Sequence, residues 1–256
     1  MSKESEKEIL KVVDLKRSYH TVTPEGKEMV YPVLKGISFE VQKGEFIGVM
    51  GTSGCGKTTL LKTIGMLEKP NGGKVLYKGT PTEEIYGDHL ARIRRKEIAF
   101  VFQDYYLMDS LSVRENIMLP LILNENDVEE SEQTAAQVAG KFGIGELLDK
   151  KPYELSGGEK QRTAICRAMA EDPELIFADE PTGNLDSNSS KQVITTLKQI
   201  NEEFGKTVIM VTHDPRMASY CDRILLLKDG VILGELKEEG DQNAFYREII
   251  QKMAEL

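Results

Sequence analysis

Gly51-Thr52-Ser53-Gly54-Cys55-Gly56-Lys57-Thr58 stands between the apolar run Phe46-Ile47-Gly48-Val49-Met50 and the stretch Thr59-Leu60-Leu61-Lys62-Thr63-Ile64. The first run reads as a strand and the second as a helix, so the pattern GxxxxGK(S/T) falls where a phosphate-binding loop is built. The chemistry needs each residue type. Glycines at 51, 54 and 56 let the backbone turn tightly and approach a triphosphate, while loop amides and the helix N-terminus supply partial positive charge. Lys57 reaches the β- and γ-phosphates as a point charge, and the Thr58 hydroxyl ligates Mg²⁺. Thr52, Ser53, Cys55 and Thr59 complete the expected nucleotide-binding set. A glycine-rich turn that merely opens a helix is the competing reading, and the strand and helix on the correct sides argue against it.

The 256 residues suffice for one large α/β domain or two small ones. Hydrophobic and charged contents of 40% and 29% are those of an ordinary soluble globule. No apolar run approaches the ~20 residues of a membrane span; Val208-Ile209-Met210-Val211 has strand length. The first eight residues are charged and polar, so a secretory signal is not expected and the cytoplasm is. The net charge of -9 argues against a nucleic-acid partner, whose phosphates demand a basic face. Cys55, Cys166 and Cys221 have neither disulfide density nor metal-ligand spacing. Cys166 and Cys221 read as small core residues. At Cys55, loop amides and Lys57 favour a lowered thiol pKa, although a permissive loop position is the simpler account.

Taken in order, Ile9 to Leu15 and Met29 to Val41 predict an antiparallel sheet around a turn at Pro24-Glu25-Gly26, with Tyr19 ending the first strand. Tyr19 there either stacks on a base or covers a sheet edge. Gly73 to Tyr77 adds a strand, and Glu83 to Lys96 is helical in composition. Ile98 to Phe102 is a continuous apolar strand ending at Gln103. Helical patterns then run to Glu154 without a strand. Ser156 with Glu159 is a capping box opening a helix over 160–171, but the cap does not account for Gly157 and Gly158, each worth about 1 kcal/mol of lost helix propensity. Glycines there let a phosphate approach the exposed amides.

Leu175-Ile176-Phe177-Ala178 runs into Asp179-Glu180, two carboxylates at the carboxyl end of a buried strand, where ligands bind in parallel sheets. Asp179 is placed to hold Mg²⁺ through water, and Glu180 to orient or deprotonate the attacking water. Asp186 caps a helix with the stripe Val193, Ile194, Leu197 and Ile200, stopped near Gly205. Thr207 to Thr212 ends in His213, placed like Gln103 and Asp179 at a strand end and able to contact a γ-phosphate. Arg223 to Lys228 and Val231 to Leu236 form a hairpin across Asp229-Gly230. From Asn243 onward, Phe245, Ile249, Ile250, Met253 and Leu256 share a helical face expected to pack on the chain's own core.

The phosphate loop, Gln103, Leu155-Ser156-Gly157-Gly158-Glu159, the strand into Asp179-Glu180, Leu185-Asp186 and His213 come in one order. In that order they resemble, motif by motif and over essentially the whole chain, the nucleotide-binding domain of ABC ATPases. The resemblance implies that Tyr19 stacks on the base, that Gln103 lies by the γ-phosphate and joins Thr58 and Asp179 around Mg²⁺, and that Ser156, Gly157 and Gly158 contact ATP in the opposite subunit. It likewise implies that Asp186 belongs to the nucleotide set and that His213 acts with Glu180 and Gln103 in catalysis. The fold it implies is α/β, a P-loop NTPase core with a mostly parallel sheet, an N-terminal antiparallel β subdomain and an inserted helical subdomain. Residues 1–256 then form one ATP-binding domain, with core over 1–103 and 159–240, insertion through the signature over 104–158 and a C-terminal helix over 241–256. Such chains face head to tail around two ATP; one copy of each motif implies a homodimer or pairing with a separate subunit.

Ala178-Asp179-Glu180-Pro181-Thr182-Gly183-Asn184-Leu185-Asp186 is similar to the lipoprotein-release, macrolide-export and cell-division ATPases. Phe100 to Asp109, Val211 to Pro215 with Ala218 to Cys221, and Ala244 to Ile250 look closer to the Bce-type bacitracin and lantibiotic resistance ATPases. The implied partner is an integral-membrane permease, docked through 104–125, with the ATPase peripheral at the inner face of the cell membrane. Tyr105, Tyr106, Leu107 and Met108, beyond a strand end, either line that groove or fill the chain's own core. A soluble ABC ATPase acting on nucleic acid or ribosomes is disfavoured by the single motif set, the absence of a cysteine cluster or long heptads, and the acidity. A kinase or GTPase is disfavoured by the LSGGE segment and the lack of a guanine-reading NKxD.

Overall fold

The computed structural model describes residues 8–255. Its elements are β1 (Glu8–Val22), β2 (Glu28–Gln42), β3 (Phe46–Met50), α1 (Lys57–Ile64), β4 (Gly72–Tyr77), β5 (Thr80–Pro81), α2 (Gly87–Lys96), β6 (Ile98–Phe102), α3 (Val113–Leu123) and α4 (Val128–Lys141). There follow α5 (Gly157–Met169), β7 (Leu175–Asp179), α6 (Ser187–Phe204), β8 (Thr207–Thr212), α7 (Pro215–Ala218), β9 (Arg223–Lys228), β10 (Val231–Lys237) and α8 (Gln242–Ala254). The described chain divides into two compact units, one of residues 8–87 with 211–255 and one of 88–210.

In the first unit β1 and β2 form a long antiparallel hairpin, and β4 and β5 extend it in the order β2-β1-β4-β5. β3 pairs in parallel with β9, and β9 pairs antiparallel with β10. Every residue of β3 is buried, as expected of a strand covered on both faces. The β9–β10 turn places Asp229 at φ 48° and Gly230 at φ 83°, the pair of left-handed residues that a tight hairpin needs.

In the second unit β6 and β7 are parallel, from Ile98 opposite Leu175 to Phe102 opposite Asp179, and β7 lies between β6 and β8. α5 is the hub of its helices, packing on α3, α4, α6 and β6. The α6 stripe Val193, Ile194, Leu197 and Ile200 is fully buried, and the helix stops at Gly205 with φ 63°. The architecture is the expected α/β P-loop NTPase type, with parallel strands and an antiparallel N-terminal sheet.

Some boundaries differ from expectation. β1 continues to Val22, so Tyr19 lies inside the strand; its pairing with Tyr31 carries the ladder on to a turn at Thr23–Lys27. The segment after Pro81 makes a 3-10 turn at Thr82–Glu84, and α2 starts only at Gly87. α5 begins at Gly157 because the Ser156 cap engages at once, and it ends at Met169. On α8, Phe245 and Ile249 are buried but Ile250 is exposed; Leu256 lies outside the described residues.

The turn at Gly230 also packs against β2: a Cβ there would sit 2.0 Å from the Val33 carbonyl oxygen, whereas one at Gly26 meets nothing within 4 Å. Gly26→Ala should therefore cost only the left-handed strain, about 1 kcal/mol, and Gly230→Ala clearly more, at least about 2 kcal/mol. Urea denaturation midpoints measure both; equal shifts would mean that this turn is not pressed against β2.

Candidate active site

Within the first unit the phosphate loop is shaped from outside. A Cβ on Gly51 would lie 2.1 Å from the Leu227 carbonyl oxygen and 2.7 Å from Cys55 Sγ, and one on Gly56 3.1 Å from Val33. Gly56, at φ 106°, starts α1 in a left-handed conformation with no side-chain cap, and the helix N-terminus brings to the loop the partial positive charge that suits an anion. Thr52, Ser53, Gly54 and Thr58 are exposed along the loop. Lys57 is buried, and its Nζ donates to the carbonyls of Gly51 at 3.0 Å and Thr52 at 3.1 Å. The ammonium is thus stationed over the loop.

At Cys55 the less simple of the two readings, a lowered thiol pKa, fails. Its thiol is pushed up from the usual value by burial, which outweighs the opposing charge of Lys57. The thiol fills space against Gly51 and is not activated.

Tyr19 is held from several sides: its hydroxyl donates to Glu68 at 2.7 Å and approaches Thr59 Oγ1 at 3.4 Å, while the Arg17 guanidinium covers one ring face at 4.8 Å. Neither Glu68 nor Arg17 was marked by any motif. The sign available in the sequence was only the i, i+2 spacing of Arg17 and Tyr19 on one strand. His213, exposed, sits between the end of β8 and α7, whose cap Asp214 accepts from the Arg216 N–H at 2.7 Å.

Within the second unit, Gln103 directly follows β6 and donates from Nε2 to Asn184 Oδ1 at 3.0 Å. A Cβ on Gly183 would come 2.9 Å from that same nitrogen, so the Gly183-Asn184 pair fits around the glutamine. Asp179 ends β7, and Glu180 beside it has φ 47°, a left-handed geometry that costs a non-glycine residue roughly 1 kcal/mol. Such strain collects at functional positions, where neighbours enforce it.

The backbone beyond Gln103 is also strained, with Tyr105 at φ 61° and Tyr106 at φ 47°. α5 holds it: Gln161 donates to the Phe102 carbonyl at 3.3 Å, and Arg167 donates to the Tyr105 carbonyl at 2.8 Å and to that of Tyr106. These two α5 side chains support the segment beyond Gln103, and motif reading missed them because their acceptors are backbone oxygens that leave no mark in the sequence.

The signature segment realises its capping box. Ser156 Oγ donates to Glu159 at 2.7 Å and accepts from the Glu159 N–H. The Ser156 hydroxyl first, and its N–H second, hold the Glu159 carboxyl below the ordinary 4.5. A depressed carboxylate stabilises the folded state above the unfolded value, and that contribution is lost as pH falls through the lowered folded value. The two glycines have a packing reason too: a Cβ on Gly157 would lie 2.9 Å from Leu185, and one on Gly158 2.9 Å from Ser189 Cβ. Asp186 caps α6, accepting from the N–H groups of Asn188 and Ser189 and from the Ser189 hydroxyl at 2.6 Å.

No group of three or more His, Cys, Asp or Glu side chains forms a metal cage among the described residues. Thr58 in the first unit offers a hydroxyl, and Gln103 and Asp179 in the second offer an amide oxygen and a carboxylate; oxygen donors of this kind suit Mg²⁺, which keeps waters and takes phosphate oxygens in place of an all-protein cage.

The family model for the ABC transporter matches residues 34–183. The chain is 42% identical to the bacitracin export ATP-binding protein BceA of Halalkalibacterium halodurans, over 95% of this chain and 94% of that protein. It is 43% identical to the lipoprotein-releasing system ATP-binding protein LolD of Aquifex aeolicus, over 80% of this chain and 92% of that protein. A solved dimeric, post-hydrolysis structure of the ATP-binding cassette MJ0796 bound to ADP and Pi superimposes with a TM-score of 0.81 at 38% identity, covering 91% of this chain and all of that one. With its phosphate loop in place and the family model spanning more than half its length, the chain belongs to the ABC transporter family, as an ATP-binding, ATP-hydrolysing member.

Proposed function

We propose that this ATPase powers a membrane permease that protects the cell from antimicrobial peptides. The observation that carries the reading is the near end-to-end match to the bacitracin-export relative, over 95% of this chain and 94% of that protein, where two lipoprotein-release relatives span 80% and 89% of this chain. Release of lipoproteins or export of macrolides is the second reading, favoured by comparable identity to those proteins over the shared core. Cells lacking the subunit should become several-fold more sensitive to bacitracin, with macrolide tolerance and lipoprotein sorting unchanged; the reverse pattern selects the second reading.

In this reading two copies face head to tail. Each contributes Tyr19, the phosphate loop with Lys57, Thr58 and Thr59, and the Asp179, Glu180, Gln103 and His213 set. The other contributes Ser156, Gly157, Gly158 and Asp186. Thr58, Gln103 and Asp179 would hold Mg²⁺, which would neutralise phosphate charge there, and Glu180 would take the proton of the attacking water. Glu180→Gln removes the proton acceptor together with its negative charge while leaving the side chain's shape nearly intact. ATP affinity should stay within about threefold while turnover falls by at least about a hundredfold, as befits a general base. The trapped nucleotide should hold two chains together on a sizing column; a variant that stays monomeric in saturating MgATP contradicts the sandwich.

The permease contact is assigned to 104–125, the start of the helical insertion 104–158, with the ATPase peripheral at the inner membrane face. No helix among the described residues is long and apolar enough to cross a membrane. Tyr106 and Met108 are exposed, and so are Ile122 and Leu123 at the end of α3. A depression of about 270 Å³ includes Leu123 in its lining, with Ile98, Leu119, Arg95 and Arg167 among others. This favours a groove for a cytoplasmic helix over burial in the chain's own core. Tyr106→Glu and Leu107→Glu should leave melting temperature and ATP affinity near wild type but abolish co-purification with the permease. Loss of ATP binding in the isolated subunit would make these residues core.

A further inference from the structure

Tyr31 of β2 stands directly opposite Tyr19 of β1, and Met29 stands opposite Thr21. Opposed residues of an antiparallel ladder project to the same face, with Cβ atoms roughly 5 Å apart. That face looks onto the start of α1, because the Tyr19 hydroxyl approaches Thr59 Oγ1 at 3.4 Å. The Tyr31 hydroxyl reaches Met29 Sδ at 3.4 Å, which keeps these two side chains together on it. Yet Tyr31 is 46% and Met29 39% exposed, so each keeps a large share of its surface that no neighbour among the described residues covers.

A base laid on Tyr19 has one ring face to use, since the Arg17 guanidinium covers the other at 4.8 Å and is itself paired to Glu68 at 3.1 Å. A two-ring purine extending from that face reaches the neighbouring cross-strand side chain, and a soft thioether beside it suits a polarizable ring.

We infer that Tyr31 is a second aromatic contact for the purine base of ATP, with Met29 as its apolar edge. The platform is two tyrosines wide, and the outer one comes from the opposite strand of the hairpin. The inference rests on Tyr19 as the base-stacking residue.

The test is calorimetric binding to the full-length protein of two probes, ATP and inorganic tripolyphosphate, which shares the phosphates and lacks the base. Tyr31→Ala should raise the Kd for ATP about fivefold, the lower end of what one base–aromatic contact supplies, and leave the Kd for tripolyphosphate unchanged. Tyr31→Phe, which keeps the ring, should restore ATP binding to within about twofold of wild type. The inference is overturned if Tyr31→Ala binds ATP like wild type, or if it loses tripolyphosphate in the same proportion. Tyr19→Ala, measured alongside, separates the failures. If it weakens ATP binding while Tyr31→Ala does not, only the second contact is wrong; if neither has an effect, the base lies elsewhere and the reading of Tyr19 falls too.

Discussion

Backbone amides can meet a triphosphate only where no side chain stands between them, and the phosphate loop of this chain satisfies that constraint by being pressed against its neighbours. Gly51 leaves no room for a Cβ against the Leu227 carbonyl, and Gly56 is tight against Val33 and Leu34. The loop is therefore a surface that β2 and β9 impose, and Lys57 sits inside it, bonded to the carbonyls of Gly51 and Thr52. An incoming phosphate meets donors already oriented, so little reorganisation is left for binding to overcome.

The second unit is arranged on the opposite plan. Its candidate catalytic segment is strained and restrained: Glu180, Tyr105 and Tyr106 all adopt left-handed backbone conformations, at roughly 1 kcal/mol or more each. The restraints are α5 side chains on carbonyls of the segment that follows Gln103, and Asn184 on Gln103 itself. Because α5 also opens with the signature Ser156 to Gly158, a shift of that helix and a shift of the glutamine segment are mechanically linked.

What could be read from the sequence and what could not divides along locality. The phosphate loop was legible because phosphate chemistry dictates residue types within eight positions, and the α6 stripe and the Asp229-Gly230 turn because their periods and backbone demands are local. The end of β1 was not, since the ladder past Tyr19 is set by its partner strand. Gly157 and Gly158 were assigned to phosphate approach alone, and their close packing on Leu185 and Ser189 needed the tertiary structure. Cys55 depended on a competition between burial and the Lys57 charge, whose sign follows from depth. Arg167 was invisible because its partners are carbonyls.

In the proposed sandwich one chain holds two half-sites, and hydrolysis needs two chains. Phosphate release per chain, measured against protein concentration at saturating MgATP, tests it most directly. The rate per chain should rise with concentration and then level off as chains pair. A rate per chain that stays constant on dilution, down to concentrations at which sizing shows only monomer, would contradict it.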